Sequence, residues 1–84
     1  MSTIRAGGVT FRVYPNDHEP RHVHGEYGET SAIVDLRADE IVALAQRWDA
    51  VKPANAKRSD VKRILEAARQ HFDALVLAWE AMHR

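Results

Sequence analysis

A periodic run of apolar residues in the last third of the chain constrains the fold most strongly. Between residues 61 and 82 the apolar side chains recur at steps of four and three: Val61, Leu65, Ala68, Phe72, Leu75, Trp79 and Met82. This spacing places them on one face of an α-helix, and Ser59 is a suitable N-cap for it. We therefore predict an amphipathic helix over residues 59–82, about 36 Å long at 1.5 Å per residue.

The first half of the chain supplies strands against which such a helix can pack. Residues 9–14 alternate apolar and polar side chains, with the period of two of a half-buried strand. Residues 22–27 and 31–36 are predicted to be two further strands, and the short connection through Gly28 makes them an antiparallel hairpin. The prediction is a small antiparallel sheet of about three strands.

A second helix is predicted over residues 39–48, where Asp39 can act as the N-cap. Its apolar positions again follow steps of three and four: Ile41, Leu44, Ala45 and Trp48. Trp48 and Trp79 are both expected in the core or at an interface. With 84 residues, 45% of them hydrophobic, the chain is predicted to be a single α+β domain, 1–84, in which two helices cover the sheet.

The predicted 59–82 helix is longer than the sheet that it covers. Strands of about six residues span only about 20 Å, so the helix should extend beyond them. Two arrangements could cover the extension: the 39–48 helix folded back on it, or a second copy of the chain. A homodimer through the 59–82 helix is therefore one expectation.

The absence of cysteine and of long apolar runs predicts a cytoplasmic protein. No cysteine is available for disulfides or thiolate metal ligands. The N-terminal residues lack an apolar stretch long enough for a signal peptide, and the longest apolar run, residues 74–79, is too short to span a bilayer. We expect no membrane contact.

Charge is balanced over the whole chain but not along it. Twelve basic and twelve acidic side chains cancel, which argues against a whole-molecule nucleic-acid binder. Residues 16–40 carry seven acids against two bases, whereas residues 52–69, the basic segment, carry six bases against two acids. An RNA substrate would require the basic segment to fold close to any site in the acidic half.

The densest cluster of reactive side chains is DHEPRHVHGEY, residues 17–27. Alternation along an extended segment places His22, His24 and Glu26 on one face. The α-carbons of the two histidines would be about 6.7 Å apart, from which both rings can reach one zinc ion. His18, Asp17 or Glu26 could supply a third ligand.

Two other interpretations of the cluster stay open at this point. Two histidines on an exposed strand are often an unliganded polar surface. Alternatively, His18, His22 and His24 could work with Arg21 as acid–base groups in metal-free phosphodiester cleavage. The remaining histidines, His71 and His83, lie far from the cluster in sequence and are expected to be solvated.

The stretch YPNDHEPRHVHGEYGETSAIVDL, residues 14–36, resembles a small bacterial family known as domain of unknown function 4160. The family's pattern is an aromatic strand end, then Asn-Asp-His-x-Pro-x-His-x-His-x-Glu-Tyr-Gly-Glu, then an apolar strand. The matching residues are Asn16, Asp17, His18, Pro20, His22, His24, Glu26, Tyr27, Gly28 and Glu29. Near the C-terminus, residues 79–81 match the family's Trp-Glu-x-Ala.

The resemblance implies a role in a module of the toxin–antitoxin kind, because members are typically small cytoplasmic proteins encoded beside another short protein. One hypothesis is a toxin-like enzyme acting on RNA, with His18, His22, His24 and Arg21 as catalytic groups, or with His22, His24 and His18 as ligands of a divalent metal such as zinc. The other hypothesis is a non-catalytic module that recognises the small protein encoded nearby through the histidine hairpin and the 59–82 helix.

Overall fold

Five strands form an antiparallel meander in which neighbours in sequence are neighbours in space. The computed structural model describes residues 1–83. The strands are β1 (Ser2–Ala6), β2 (Val9–Val13), β3 (His22–Tyr27), β4 (Thr30–Leu36), β5 (Val42–Leu44) and β6 (Val51–Lys52), and the helices are α1 (Arg58–Gln70) and α2 (Phe72–Met82). The spatial order is β1-β2-β3-β4-β5, and β6 also pairs with β4.

The α+β class and the packing of two helices on an antiparallel sheet are confirmed, but the prediction of three strands is wrong. The sheet has six strands. The predicted strands at 9–14, 22–27 and 31–36 correspond to β2, β3 and β4. The additional β1 pairs with β2 through a turn at Gly7 and Gly8, which have φ of 58° and 79°. Two successive positive φ values are what a two-residue type I′ hairpin turn requires.

The predicted helix over residues 39–48 is wrong, because this segment completes the sheet. A single 3₁₀ turn, Ala38–Glu40, contains Asp39 and Glu40 with φ near +60°, which an α-helix does not allow. β5 then pairs with β4. The backbone of β4 is buried and needs hydrogen-bond partners on its outer edge, and the apolar spacing of this short segment fits a strand as well as a helix.

Residues 45–50, here called the edge loop, interrupt the outermost strand between β5 and β6. All six stand opposite the single residue Ile33: the Ala45 amide donates to the Ile33 carbonyl, and the Ile33 amide donates to the Ala50 carbonyl. β6 then resumes the pairing with β4. The loop therefore projects from the sheet, and Trp48 within it is 94% exposed. Trp48 therefore does not lie in the core, and its expected alternative position at an interface stays a prediction.

The predicted 59–82 helix is broken into two at His71, whose φ of −115° is not helical. At about 20 Å and 16 Å, α1 and α2 are close to strand length, so one long overhanging helix is not formed. Trp79 is buried as expected. In α1 the buried residues are Ile64, Ala67 and Ala68 rather than Val61 and Leu65, because Ile64 fits against the backbone of Gly25.

The core lies between the helices and one face of the sheet. Its fully buried side chains come from alternate strand positions and from the helices: Val9, Phe11, Val13, Val23, Val34, Ile64 and Leu75. Over residues 1–83, neither helix combines the length and the apolar character needed to cross a membrane. The side chains at the strand positions between these core residues point away from α1. They line the opposite face of the sheet, where the histidines lie.

Candidate functional site

Strand alternation places His22 and His24 side by side on the sheet face opposite α1. His24 is paired with Arg12 on β2 and with Ile33 on β4. The two imidazole rings lie 5.3 Å apart, centroid to centroid. The predicted arrangement of the two histidines is therefore present in the structure.

Asp17, in the connection between β2 and β3, brings a carboxylate to both rings. Its Oδ2 atom accepts a hydrogen bond from Nε2–H of His24 at 3.0 Å and lies 3.3 Å from Nε2 of His22. The three candidate ligand atoms all lie within 4.8 Å of one another. Ligands about 2.05 Å from a tetrahedral zinc ion lie about 3.3 Å from each other, which is close to the two distances from Asp17 Oδ2. We call Asp17, His22 and His24 the triad.

His22 is oriented by a backbone carbonyl. Its Nδ1–H donates to the Pro20 carbonyl at 2.9 Å. Because a carbonyl oxygen only accepts, Nδ1 carries the proton, and Nε2 of the neutral ring presents a lone pair. A second hydrogen bond that fixes the tautomer in this way is typical of histidines that bind metals.

The Nε2 atom of His22 is buried, and within residues 1–83 it has no hydrogen-bond partner. The whole residue is only 7% exposed. Although Asp17 Oδ2 is 3.3 Å away, the contact lacks hydrogen-bond geometry, and in the neutral ring it joins two acceptors. Buried polar atoms without partners are rare and costly. A cation bound beside the Asp17 carboxylate would give this nitrogen a partner.

His83 supports the triad from the end of α2, and the expectation that it is solvated is wrong. Its Nε2 lies 2.8 Å from the carbonyl oxygen of Asp17, and its Nδ1 lies 2.8 Å from that of Trp79. The imidazole also stacks on the Trp79 indole at 3.6 Å. Trp79 in turn lies 5.3 Å from the His22 ring. His83 thus fixes the backbone that carries Asp17, across 66 positions of sequence, and no local pattern indicates it.

The remaining predicted site residues occupy different positions. His18 is exposed and lines a cavity of about 460 Å³ together with Asp17 and His22, here called the aspartate cavity. Among residues 1–83, the group whose ligand atoms lie close enough to hold one metal ion consists of Asp17, His22 and His24 and does not include His18. The Arg21 guanidinium donates from Nε to the Leu36 carbonyl at 2.9 Å, and it lies over the Phe72 ring. Arg21 therefore anchors the start of β3.

A second cavity, of about 250 Å³, lies on the other side of the triad and is lined by two arginines that the sequence did not indicate. This arginine cavity is lined by residues that include His24, Arg12, Tyr14, Arg47 and Lys52. Ile33 and Arg47 line both cavities, so the edge loop borders the whole site. Of the basic segment, only Lys52 reaches the site, because α1 packs on the opposite sheet face.

The edge loop is held by an ion pair between Arg47 and Asp49. Arg47 donates from Nε and Nη2 to the two carboxylate oxygens of Asp49, at 2.7 Å and 2.8 Å. This hydrogen bonding lowers the pKa of Asp49 and raises the pKa of Arg47. The charge of Asp17 also contributes to the raised pKa of Arg47. Arg47 therefore lies within electrostatic reach of the triad.

The comparisons with known proteins identify a family but no individual relative. The family model described as "Domain of unknown function (DUF4160)" matches residues 8–80. This range contains the whole triad, both cavity-lining arginines and the edge loop, whereas His83 lies just outside it. No curated protein and no solved structure matches the chain.

Proposed function

Because the chain belongs to the DUF4160 family, whose description names no activity, we propose a function from the site itself. The protein is a metal-dependent hydrolase in which Asp17, His22 and His24 hold a divalent ion of the zinc class. Its substrate is RNA, and it acts in the cytoplasm as part of a bacterial module of the toxin–antitoxin kind, beside a small partner protein encoded nearby.

The observation that carries this proposal is the buried lone pair of His22. Nε2 is aimed at the Asp17 carboxylate without a hydrogen bond, while the other ring nitrogen is held by the Pro20 carbonyl. An unliganded polar surface would leave this atom in water. The set of two imidazoles and one carboxylate is also the ligand set of several catalytic metal centres, which keep a position open for water or substrate.

A divalent ion at such a site supplies Lewis acidity and lowers the pKa of water. The chain's own residues supply the rest. His18, exposed on the aspartate cavity, is placed to move a proton between solvent and the substrate. Arg47, which borders both cavities, is placed to stabilise negative charge that develops on a phosphodiester. Arg21, predicted as a catalytic group, is assigned to positioning because its guanidinium is engaged by Leu36.

The test is to express His22→Ala in bacterial cells and to measure both toxicity and binding to the partner encoded nearby. We expect the variant to lose toxicity and zinc-dependent cleavage of an oligoribonucleotide while still binding the partner. His71→Ala is the matched control, since His71 is exposed between α1 and α2 and should behave as wild type. Cleavage and toxicity at wild-type levels in His22→Ala would contradict the proposal.

A second candidate function, a non-catalytic protein-binding module, is favoured by the exposed face of α2. Leu77 is 68% exposed, and Ala74 and Ala81 on the same face are also exposed. Such a face suits a partner helix or a second copy of the chain. Under this function Leu77→Glu should weaken the complex with the small partner, or dissociate a homodimer in sedimentation experiments, while leaving metal content unchanged.

A further inference from the structure

We propose that the edge loop and the arginine cavity bind single-stranded nucleic acid, with an unpaired base stacked on Trp48 and the adjoining phosphate bound by Arg47 and Arg12. The inference rests on the proposed function in one respect, since the bound strand would be the substrate of the metal centre. The recognised feature of the substrate is an unpaired base with its adjoining phosphate, which the triad alone does not define.

Trp48 is presented to solvent by a loop that is fixed on both sides. Trp48 is 94% exposed. Its two sequence neighbours, Arg47 and Asp49, are nevertheless joined by a bidentate ion pair. The Ala50 carbonyl accepts a hydrogen bond from Ile33, and Ala50 itself is buried. An exposed aromatic side chain on a loop whose backbone is fixed in this way provides a stacking surface at a lower ordering cost than one on a free loop.

The loop also connects this stacking surface to the triad. Arg47 lines both the arginine cavity, which includes His24, and the aspartate cavity, which includes Asp17 and His22. A strand whose base stacks on Trp48 would therefore have its adjoining phosphate beside Arg47. The guanidinium uses Nε and Nη2 for Asp49, and its other N–H groups stay available to a phosphate oxygen.

The charges of the arginine cavity favour an anion. Arg12, Arg47 and Lys52 line it against Glu26 and Asp49, and both carboxylates are already engaged, Glu26 by Arg12 and Asp49 by Arg47. The cavity therefore offers cationic N–H groups that are partly neutralised but held in place. This is the combination of phosphate-binding cations and an aromatic platform that single-strand binders use.

A single strand fits this surface better than a duplex or a protein. In a duplex the bases are stacked on each other and are not available to an external indole. A tryptophan that anchors a protein interface lies in a well-packed, desolvated centre, whereas Trp48 follows two exposed polar residues, Gln46 and Arg47. The observations therefore favour a nucleotide strand.

The test is fluorescence anisotropy of a labelled ten-nucleotide single-stranded RNA, titrated with untagged protein in a chelating buffer that prevents cleavage. Loss of a stacked base weakens binding by roughly 5- to 150-fold, so we expect Kd for Trp48→Ala to rise within this range. Trp48→Phe should retain most of the affinity. Arg47→Gln should weaken binding and reduce the salt dependence by about one phosphate contact. Arg69→Ala, an exposed arginine on α1, is the matched control and should bind as wild type.

The outcomes separate this inference from the proposed metal site. The His22→Ala variant should lose metal but keep its affinity for the probe, because His22 lines the aspartate cavity and belongs neither to the arginine cavity nor to the edge loop. Unchanged affinity in both Trp48→Ala and Arg47→Gln would overturn the inference, whatever the metal content. So would equal binding of a double-stranded probe of the same sequence, or a Trp48→Ala variant that loses only the small protein partner. Circular dichroism would verify that each variant is folded.

Discussion

Replacing Gly25 by alanine tests how closely helix α1 packs on the sheet that carries the triad. Gly25 lies in β3 between His24 and Glu26, and a side chain at this position would point into the core. A Cβ atom added there would lie 2.6 Å from Cγ2 of Ile64 and 3.1 Å from Cε1 of Phe11. Both neighbours are fully buried, so neither can move aside into solvent.

The expected loss of stability is about 2 kcal/mol. Inserting a methyl group into a packed core costs about 1–3 kcal/mol, and a contact of this closeness belongs in the upper part of that range. The lower chain entropy of alanine in the unfolded state returns about 0.5–1 kcal/mol. For a domain of this size, about 2 kcal/mol lowers Tm by roughly 8–16 °C.

The assay is thermal and urea denaturation followed by far-ultraviolet circular dichroism, for Gly25→Ala, Ile64→Ala and the double variant. Ile64→Ala alone should cost about 2–5 kcal/mol through the cavity that it leaves. In the double variant the new methyl group occupies part of that cavity, so the combined loss should be smaller than the sum of the two single losses. Additive losses, or a Gly25→Ala variant as stable as wild type, would refute the close packing.

Three further predictions concern residues around the triad. Arg21→Ala should lower the free energy of unfolding by about 1–3 kcal/mol in urea denaturation, because a charged hydrogen bond and a cation–π contact are lost, and metal content should not change. His83→Ala should weaken zinc affinity by roughly 10-fold in a competition titration, because the backbone of Asp17 loses its support; unchanged affinity would refute that role. The pKa of Asp49 is lowered from its ordinary value of 3.8, so its ion pair stabilises the edge loop above that pH and is lost as pH falls through the lower folded-state value. Trp48 fluorescence, measured in a Trp79→Phe background because the chain contains two tryptophans, should therefore be constant from neutral pH down to about 4 and change only below it, whereas Asp49→Asn in the same background should show the acid-state signal throughout.

The parts of the fold that sequence could predict are those with strong, local patterns. The alternation in β2 and the histidine spacing in β3 are both seen in the structure. β1 was missed because Ile4 and Ala6 are its inward residues in a strand of only five. The sequence predicts a helix in place of the outermost strand because Ile41, Leu44 and Trp48 satisfy helical spacing by chance. The segment forms a strand because the edge of β4 needs a hydrogen-bonded partner, which the local pattern does not reveal.

The site could be predicted in part for the same reason. His22 and His24 are neighbours by strand geometry, and Asp17 was one of three candidates for the third ligand. Arg47 and His83 reach the site through tertiary structure alone: the first through a loop opposite Ile33, the second through the C-terminal end of α2. Neither position has a local pattern that marks it, so both needed the structure.

The most direct test of the metal site is the metal content of the untagged protein. The protein would be equilibrated with zinc, dialysed and measured by elemental mass spectrometry, with the His22→Ala, His24→Ala double variant as control. We expect about one ion per chain in the wild type, since the triad forms one centre, and loss of that ion in the double variant. A wild-type protein that retains no metal, or a double variant that retains as much, would contradict it.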